Sequence, residues 1–300
     1  MTGWQRGSFY GLCRPARWPR AWPWTLGPAC AHDGKLVSVF VAGKRHDFEP
    51  VTFGRYRGHC YTGVLFPDVP LMESRLQRMN LPVYAARGMV GVSKQEGGFD
   101  SLQTFAHGKL AWGFIQFTAL GGLPALLQHI EQSAPALFDR YFRSHGIACD
   151  QGRIGMMLDG RLQTGRRALD ALHDTPNLWK AFVVAAQDEA IQDAQIKVAY
   201  DRYYAHVLKQ TITLGKGRYQ LGKIAQGDPY IEATFFDRAV ELGMVDALRL
   251  FQRAARKSHM QGPDEAAKLL HTALQLDARH ERRWQSLRQF FETQQWMTPK

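Results

Sequence analysis

Val92-Ser93-Lys94-Gln95-Glu96-Gly97-Gly98-Phe99-Asp100, followed by Ala111-Trp112-Gly113-Phe114-Ile115-Gln116-Phe117-Thr118, decides how this chain is read. Tyr84, Ala85, Gly88, Met89 and Val92 place small or apolar side chains at helical spacing, which predicts an amphipathic helix over 84–95. Pro82 stands just ahead of it, where a helix tolerates proline. Gly97 and Gly98 supply the left-handed backbone that ends it. Glu96 therefore falls at a helix C-terminus, where the macrodipole is negative and disfavours an ionised carboxyl. Shielding by Phe99, Phe105 and Trp112 would push its pKa the same way. A carboxyl kept protonated near neutrality is a general acid. The same residues equally suit a solvated glutamate in a fraying last turn, and local sequence does not separate the two.

The glutamate, its Gly-rich exit and the run Gly113-Phe114-Ile115-Gln116-Phe117-Thr118 resemble the lysozyme superfamily. In lytic transglycosylases and goose-type lysozymes a catalytic Glu precedes a Gly-Leu-Met-Gln type segment, to which Gly113-Phe114-Ile115-Gln116 is similar. The chitosanase-like branch carries Gly-Ile-Ile-Gly-Phe-Thr, which is similar to the same run. Its long helix is similar to Ala186-Gln187-Asp188-Glu189 with Gln195 and Tyr200. The resemblance spans residues 84–240. It implies an α+β, mainly α fold: a lysozyme-like helical domain with a long central helix and a small N-terminal β region. The implied activity is that of a peptidoglycan-cleaving glycan hydrolase, either muramidase or lytic transglycosylase, with Glu96 as catalytic acid. Gln103, Thr104, His107, Gln116, Thr118 and Tyr200 are then the substrate-positioning candidates, because sugar sites combine aromatic faces with fixed donors and acceptors.

One departure matters. The chitosanase-like branch has an Asp, which activates water, in the loop before its Gly-Ile-Ile segment. Here 105–109 reads Phe-Ala-His-Gly-Lys, without a carboxylate. An inverting mechanism needs a second carboxyl about 6.5–9.5 Å from the acid. Asp100 is the nearest acid in sequence, and His107 is the alternative base. A lytic transglycosylase needs neither, since the substrate's own hydroxyl completes the reaction. Two other readings stand beside the enzyme: a non-catalytic polyanion- or cell-wall-binding module on the same scaffold, and a chitosanase-like hydrolase. The missing Asp and the charge count against the latter.

The charge is +11 over 300 residues, which suits an anionic partner such as bacterial wall and repels a cationic polymer such as chitosan. Peptidoglycan or a related polysaccharide is the favoured partner, ahead of nucleic acid. Oligomeric state is not legible. No apolar run reaches the length of a membrane span. Cys13, Cys30, Cys60 and Cys149 lack paired-ligand spacing, so neither metal nor cofactor is expected.

In chain order, residues 1–34 are basic and rich in Trp and Pro, with no acid before Asp33. They read as a disordered tail, without the continuous apolar core of a secretory signal. A wall-cutting enzyme without an export signal implies delivery by phage lysis or a secretion system. Residues 35–80 read as a small β region, with strands over 35–42, 51–53 and 61–66. Residues 81–258 read as the catalytic domain. Within it, helices are expected over 122–144, split by Pro135, over 163–173, and without interruption over 177–210. Residues 211–228 read as a mobile Gly-rich loop, and helices follow from Asp228-Pro229 and Val245. Residues 259–300 read as a C-terminal helical hairpin packed on the core, in which Arg279-His280-Glu281-Arg282-Arg283 is a solvated face.

Overall fold

The computed structural model describes residues 36–53, 56–105 and 109–294. The expected 1–34 tail and His107 lie outside them. The fold is α+β and mainly helical, with 58% helix and small antiparallel sheets.

Val37–Val41 (β1), Lys44–Phe53 (β2) and Tyr56–Tyr61 (β3) form an antiparallel meander. Ala42 and Gly43, both with positive φ, make the first turn. The β region does not end at residue 80. Leu102–Gln103 (β4), Ala111–Trp112 (β5) and Phe117–Thr118 (β6) extend the same sheet to six strands in sequence order. The expected strand over 61–66 lies one element too late, because Tyr61 closes β3. Asp68 instead caps a helix, Val69–Arg78 (α1), by accepting from Leu71 N at 2.8 Å.

Ala85–Glu96 (α2) follows, and it is the true centre of the domain. Nearly every residue from Ala85 to Ser93 is buried, so the helix is enclosed on most sides rather than amphipathic. Its glycines permit close neighbours. A Cβ on Gly88 would sit 2.9 Å from the Tyr204 ring, and one on Gly91 would sit 3.1 Å from Leu287, Phe290 and Phe291. Pro135 splits the next helical stretch as expected, into Leu123–Ser133 (α3) and Pro135–Tyr141 (α4). A three-stranded sheet not foreseen in the sequence follows: Ile147–Asp150 (β7), Arg153–Leu158 (β8) and Arg161–Thr164 (β9). Arg166–Asp174 (α5) ends it.

The long central helix expected over 177–210 is a correction. The segment is broken into Pro176–Ala185 (α6), Glu189–Ala199 (α7), a π-helical turn over Tyr200–Tyr204, and Ala205–Lys209 (α8). The break has a local cause: Asp188 adopts extended backbone and accepts from Ala190 N at 3.0 Å, capping α7 afresh. The 211–228 segment is likewise no loose loop. Thr211–Leu214 (β10) and Gly217–Gln220 (β11) form a hairpin, and Leu221–Ala225 (α9) follows with buried Leu221, Ile224 and Ala225. Pro229–Leu242 (α10) and Met244–Lys257 (α11) start at the Asp228 cap and Gly243. Ala266–Leu276 (α12) and Glu281–Thr293 (α13) form the C-terminal pair. Leu287 and Phe291 of α13 bury against Ala233 of α10, so α13 lies across both α2 and α10.

The sheet packs through Val37, Val39, Phe48 and Tyr61 onto α6, where Trp179 meets Phe48 at 5.3 Å and His59 at 5.2 Å. Among the described residues no helix is long and apolar enough to cross a membrane.

The β5–β6 turn is the tightest constraint. Gly113 has φ +89°, and a Cβ there would lie 2.4 Å from Gln195 Oε1. Gly113→Ala should therefore cost about 2–3 kcal/mol from backbone strain and lost contact, read as a lower urea midpoint at unchanged m-value.

Candidate functional site

Glu96 is the last residue of α2, and its side chain is 11% exposed. It does not stand in bulk solvent. Its Oε1 accepts from Arg283 Nη2 at 2.5 Å, across 187 residues of chain. Its Oε2 makes no hydrogen bond among the described residues.

Arg283 projects from the first turn of α13 and is shared. It also reaches Asp237 Oδ1 at 2.7 Å and Glu241 Oε2 at 2.9 Å, both on α10. Asp237 in turn pairs with the fully buried Arg238, whose Nη1 donates to Asp277 Oδ2 at 2.8 Å. Trp284 Nε1 donates to the same oxygen at 3.0 Å, and the Arg238 guanidinium lies 5.4 Å from the Trp284 ring. His280 joins Asp277 Oδ1 at 2.7 Å and Glu241 Oε1 at 3.4 Å. The cluster holds the carboxyls of Glu96, Asp237, Glu241 and Asp277 against two guanidiniums and one imidazole.

Those numbers explain the titration. The Glu96 pKa is raised to about 7, and burial is the largest cause. Arg283 pulls it down, and the charges on Glu241 and Asp237 push it up again. Burial alone would lower the Arg283 pKa, but Glu96 and Asp237 more than offset this and raise it. One arginine shared among three acids cannot fully ionise the most desolvated of them. The result is a carboxyl whose pKa is raised to about 7, with Arg283 on one oxygen and no hydrogen-bond partner on the other among the described residues.

The loop after Glu96 is held rigidly. Asp100 is fully buried, and its oxygens accept from Tyr61 OH at 2.9 Å, Val64 N at 3.0 Å and Leu65 N at 3.0 Å. This corrects the expectation for Asp100. A carboxylate with no exposed surface and three donors clamps the 62–65 and 97–100 loops together, and has no free face for water. Tyr61 OH also meets His46 Nδ1 at 2.8 Å, and burial lowers the His46 pKa.

Gln116 has φ +51° and is 9% exposed. Its Nε2 donates to Ser101 Oγ at 2.5 Å and to Gly113 O at 3.1 Å, while its Oε1 is buried without a partner. Ser101 touches Gly97 so closely that a Cβ there would sit 2.5 Å from Ser101 Oγ. Gln116 is thus tied to the residue after Glu96 through one serine. Gln195 braces the same region, accepting from Phe114 N at 3.3 Å and donating to Phe99 O at 3.0 Å.

The other candidates scatter. Thr104 is buried and accepts from His59 N at 2.8 Å, a strand-end brace. Gln103 pairs with Cys60 and Ala111 in β4, and Thr118 pairs with Ala111 in β6, both half-buried. Tyr200 stacks on Tyr204 at 5.9 Å, and its pKa is raised to about 12 by burial and then by Tyr84. Tyr84 stands at the start of α2 and Glu96 at its end, so the Tyr84 side chain that meets Tyr200 belongs to the opposite end of the helix from Glu96. Trp112 and Phe117 pack in the core: Trp112 against Phe142 and Phe182, and Phe117 against Tyr203.

Arg283, Asp237 and Glu241 are the residues that the sequence reading missed. Arg283 is 15% exposed rather than solvated, and no local signal marks it. A cleft of 1410 Å³ opens beside the cluster; Glu241, Asp277 and His280 line it, while Glu96 does not. Among the described residues no group of three His, Cys, Asp or Glu side chains is arranged to hold a metal ion.

The Glu96 proton is linked to stability. The folded protein holds it at pH values where the unfolded carboxyl, with its ordinary value of 4.5, has lost it. That stabilisation is complete below pH 4.5 and is lost as pH rises through 7. Wild type should lose about 2–3 kcal/mol over this window relative to Glu96→Gln, measured as the difference between urea unfolding curves across pH. Arg283→Met leaves Asp237 and Glu241 short of a cation and should cost about 3–5 kcal/mol in the same assay.

No protein-family model, no curated protein and no solved structure matches the chain.

Proposed function

We propose that the chain is a lysozyme-like enzyme that cleaves the glycan strands of peptidoglycan, as a muramidase or lytic transglycosylase, with Glu96 as its general acid. One observation carries the reading: Glu96 has a pKa raised to about 7 and a second carboxyl oxygen without a partner among the described residues, at the end of a helix whose exit loop is locked. The resemblance of Glu96 and Gly113-Phe114-Ile115-Gln116-Phe117-Thr118 to that superfamily supports it.

In this reading the proton resides on Oε2 and passes to the glycosidic oxygen as the bond to the anomeric carbon breaks. The carboxylate left behind is already paired through Oε1 with Arg283, so the charge that develops in the transition state meets a fixed cation. Gln116 holds the Gly113 turn against Ser101, and its unpartnered Oε1 is an acceptor for a sugar hydroxyl. Since Asp100 is committed to the 62–65 loop, the reading favours transglycosylation, in which the substrate's own hydroxyl attacks the anomeric carbon and its proton returns to the Glu96 carboxylate.

The Glu96–Arg283 ion pair itself favours a second reading, in which Glu96 is structural and the chain is a non-catalytic wall-binding module. Turbidity of purified sacculi separates the two. Wild type should clear them, and Glu96→Gln should do so at least about 100-fold more slowly. The rate should fall as pH rises through about 7 and Glu96 loses its proton. Mass spectrometry of the products should find 1,6-anhydro ends. Clearing by Glu96→Gln at the wild-type rate, or no clearing by either protein, would remove the catalytic reading.

A further inference from the structure

The 1410 Å³ cleft between α11 and the turn after α12 is not used by the chemistry above. Its wall on α11 carries Arg249, Arg253 and Arg256, at i, i+4 and i+7, which places all three on one face of the helix. Arg279 faces them from the other side. The acids in the same cleft are already engaged. Asp246 pairs with Arg249 at 2.9 Å, Asp277 holds Arg238 at 2.8 Å, and Glu241 holds Arg283 at 2.9 Å. Arg253 and Arg256 are exposed and pair with no carboxylate among the described residues, and Arg279 stands 3.9 Å from Asp277. The cleft therefore has surplus guanidinium forks and an apolar floor of Leu242, Leu250 and Leu276.

We infer that this cleft binds a carboxylate-bearing glycan strand, the sugar rings lying on the leucine floor and the carboxylates taken by Arg253 and Arg256. The inference rests on the glycan reading and names the feature of the strand that is recognised. Guanidinium forks match carboxylates in bidentate geometry. These two lie about 4.5 Å apart along the helix axis, so a single carboxylate can engage both. A single-stranded nucleic acid fits less well. Such sites offer large aromatic side chains on which successive bases stack, whereas among the described residues the one ring lining this cleft is the His280 imidazole, which Asp277 and Glu241 already hold. Through Glu241 and His280 the cleft also abuts the Arg283 cluster, so a strand held there lies one side chain from the Glu96 pair.

The test is co-sedimentation with peptidoglycan sacculi stripped of teichoic acid, in a Glu96→Gln background that removes cleavage from the readout. Three proteins are compared: the parent, Arg253→Gln/Arg256→Gln, and Arg161→Gln/Arg202→Gln, which loses equal charge at exposed positions elsewhere. The first pair should lose about tenfold in affinity and show a shallower salt dependence, while the control pair stays near the parent. Sacculi with amidated carboxyls should bind the parent as weakly as intact sacculi bind Arg253→Gln/Arg256→Gln. Equal binding by the two double variants, or indifference to amidation, overturns the inference. So does displacement of sacculi by a single-stranded DNA oligonucleotide at lower concentration than by soluble wall fragments. Arginine-dependent binding without clearing by wild type keeps the cleft and removes the catalytic reading. Clearing without arginine-dependent binding does the reverse.

Discussion

A single guanidinium shared among three carboxyls organises the centre of this protein. Arg283 ties the ends of α2, α10 and α13 to one point through Glu96, Asp237 and Glu241. Buried ion pairs contribute little net stability, because desolvation offsets most of their attraction; they exclude arrangements that would leave one partner alone. Here the excluded arrangement is any displacement of α13. Leu287 and Phe291 bury apolar surface on α10 and close against Gly91 of α2, and the salt links fix which carboxyls Arg283 meets. The C-terminal hairpin is thus part of the candidate site rather than a brace added to it.

The second constraint is the exit from α2. Gly97 and Gly113 sit where a side chain would strike Ser101 and Gln195, and each loop is closed by a buried polar residue: Asp100 for the first, Gln116 for the second. Polar groups without water must find partners inside the chain, and those partners then fix the backbone. This is why residues that resemble a substrate-binding set are largely consumed in bracing. Thr104 and Asp100 spend their oxygens on main-chain amides and the Tyr61 hydroxyl, while Gln116 retains a buried oxygen with no partner among the described residues.

Much of the fold was legible where a local rule decides it. Pro135 splitting a helix, Asp228 capping α10, the Gly43 turn and the helix ending at Gly97 all follow from backbone chemistry within a few residues. The failures share a cause of the opposite kind. Residues 177–210 contain neither Gly nor Pro, so no backbone breaker interrupts the pattern; the break comes from Asp188 capping a new helix, and a polar Gln187-Asp188-Glu189 run suits an exposed helix turn equally well. The glycines over 211–228 suggest looseness, yet Ile212, Leu214 and Leu221 bury and turn the segment into a hairpin and helix. At the candidate site, the place of Glu96 at a helix end was legible. Arg283 was not, because a basic run with alternating neighbours looks solvated until the partner, 187 residues away, is brought beside it.

That partner changes what the acid can do. An isolated buried carboxyl holds its proton too firmly to release it, and a carboxyl in an undivided ion pair has no proton to give. Dividing Arg283 between Glu96 and two further acids leaves Glu96 between these limits, near pKa 7. For a proton donor the useful quantity is the difference between the two protonation states, not the strength of either. An arginine already seated on one oxygen stabilises the carboxylate that remains after transfer, without moving. Asp237 and Glu241 keep that stabilisation from ionising the acid beforehand. In the proposed reading, the ion pair that at first argues for a structural glutamate is what lets Glu96 give up its proton.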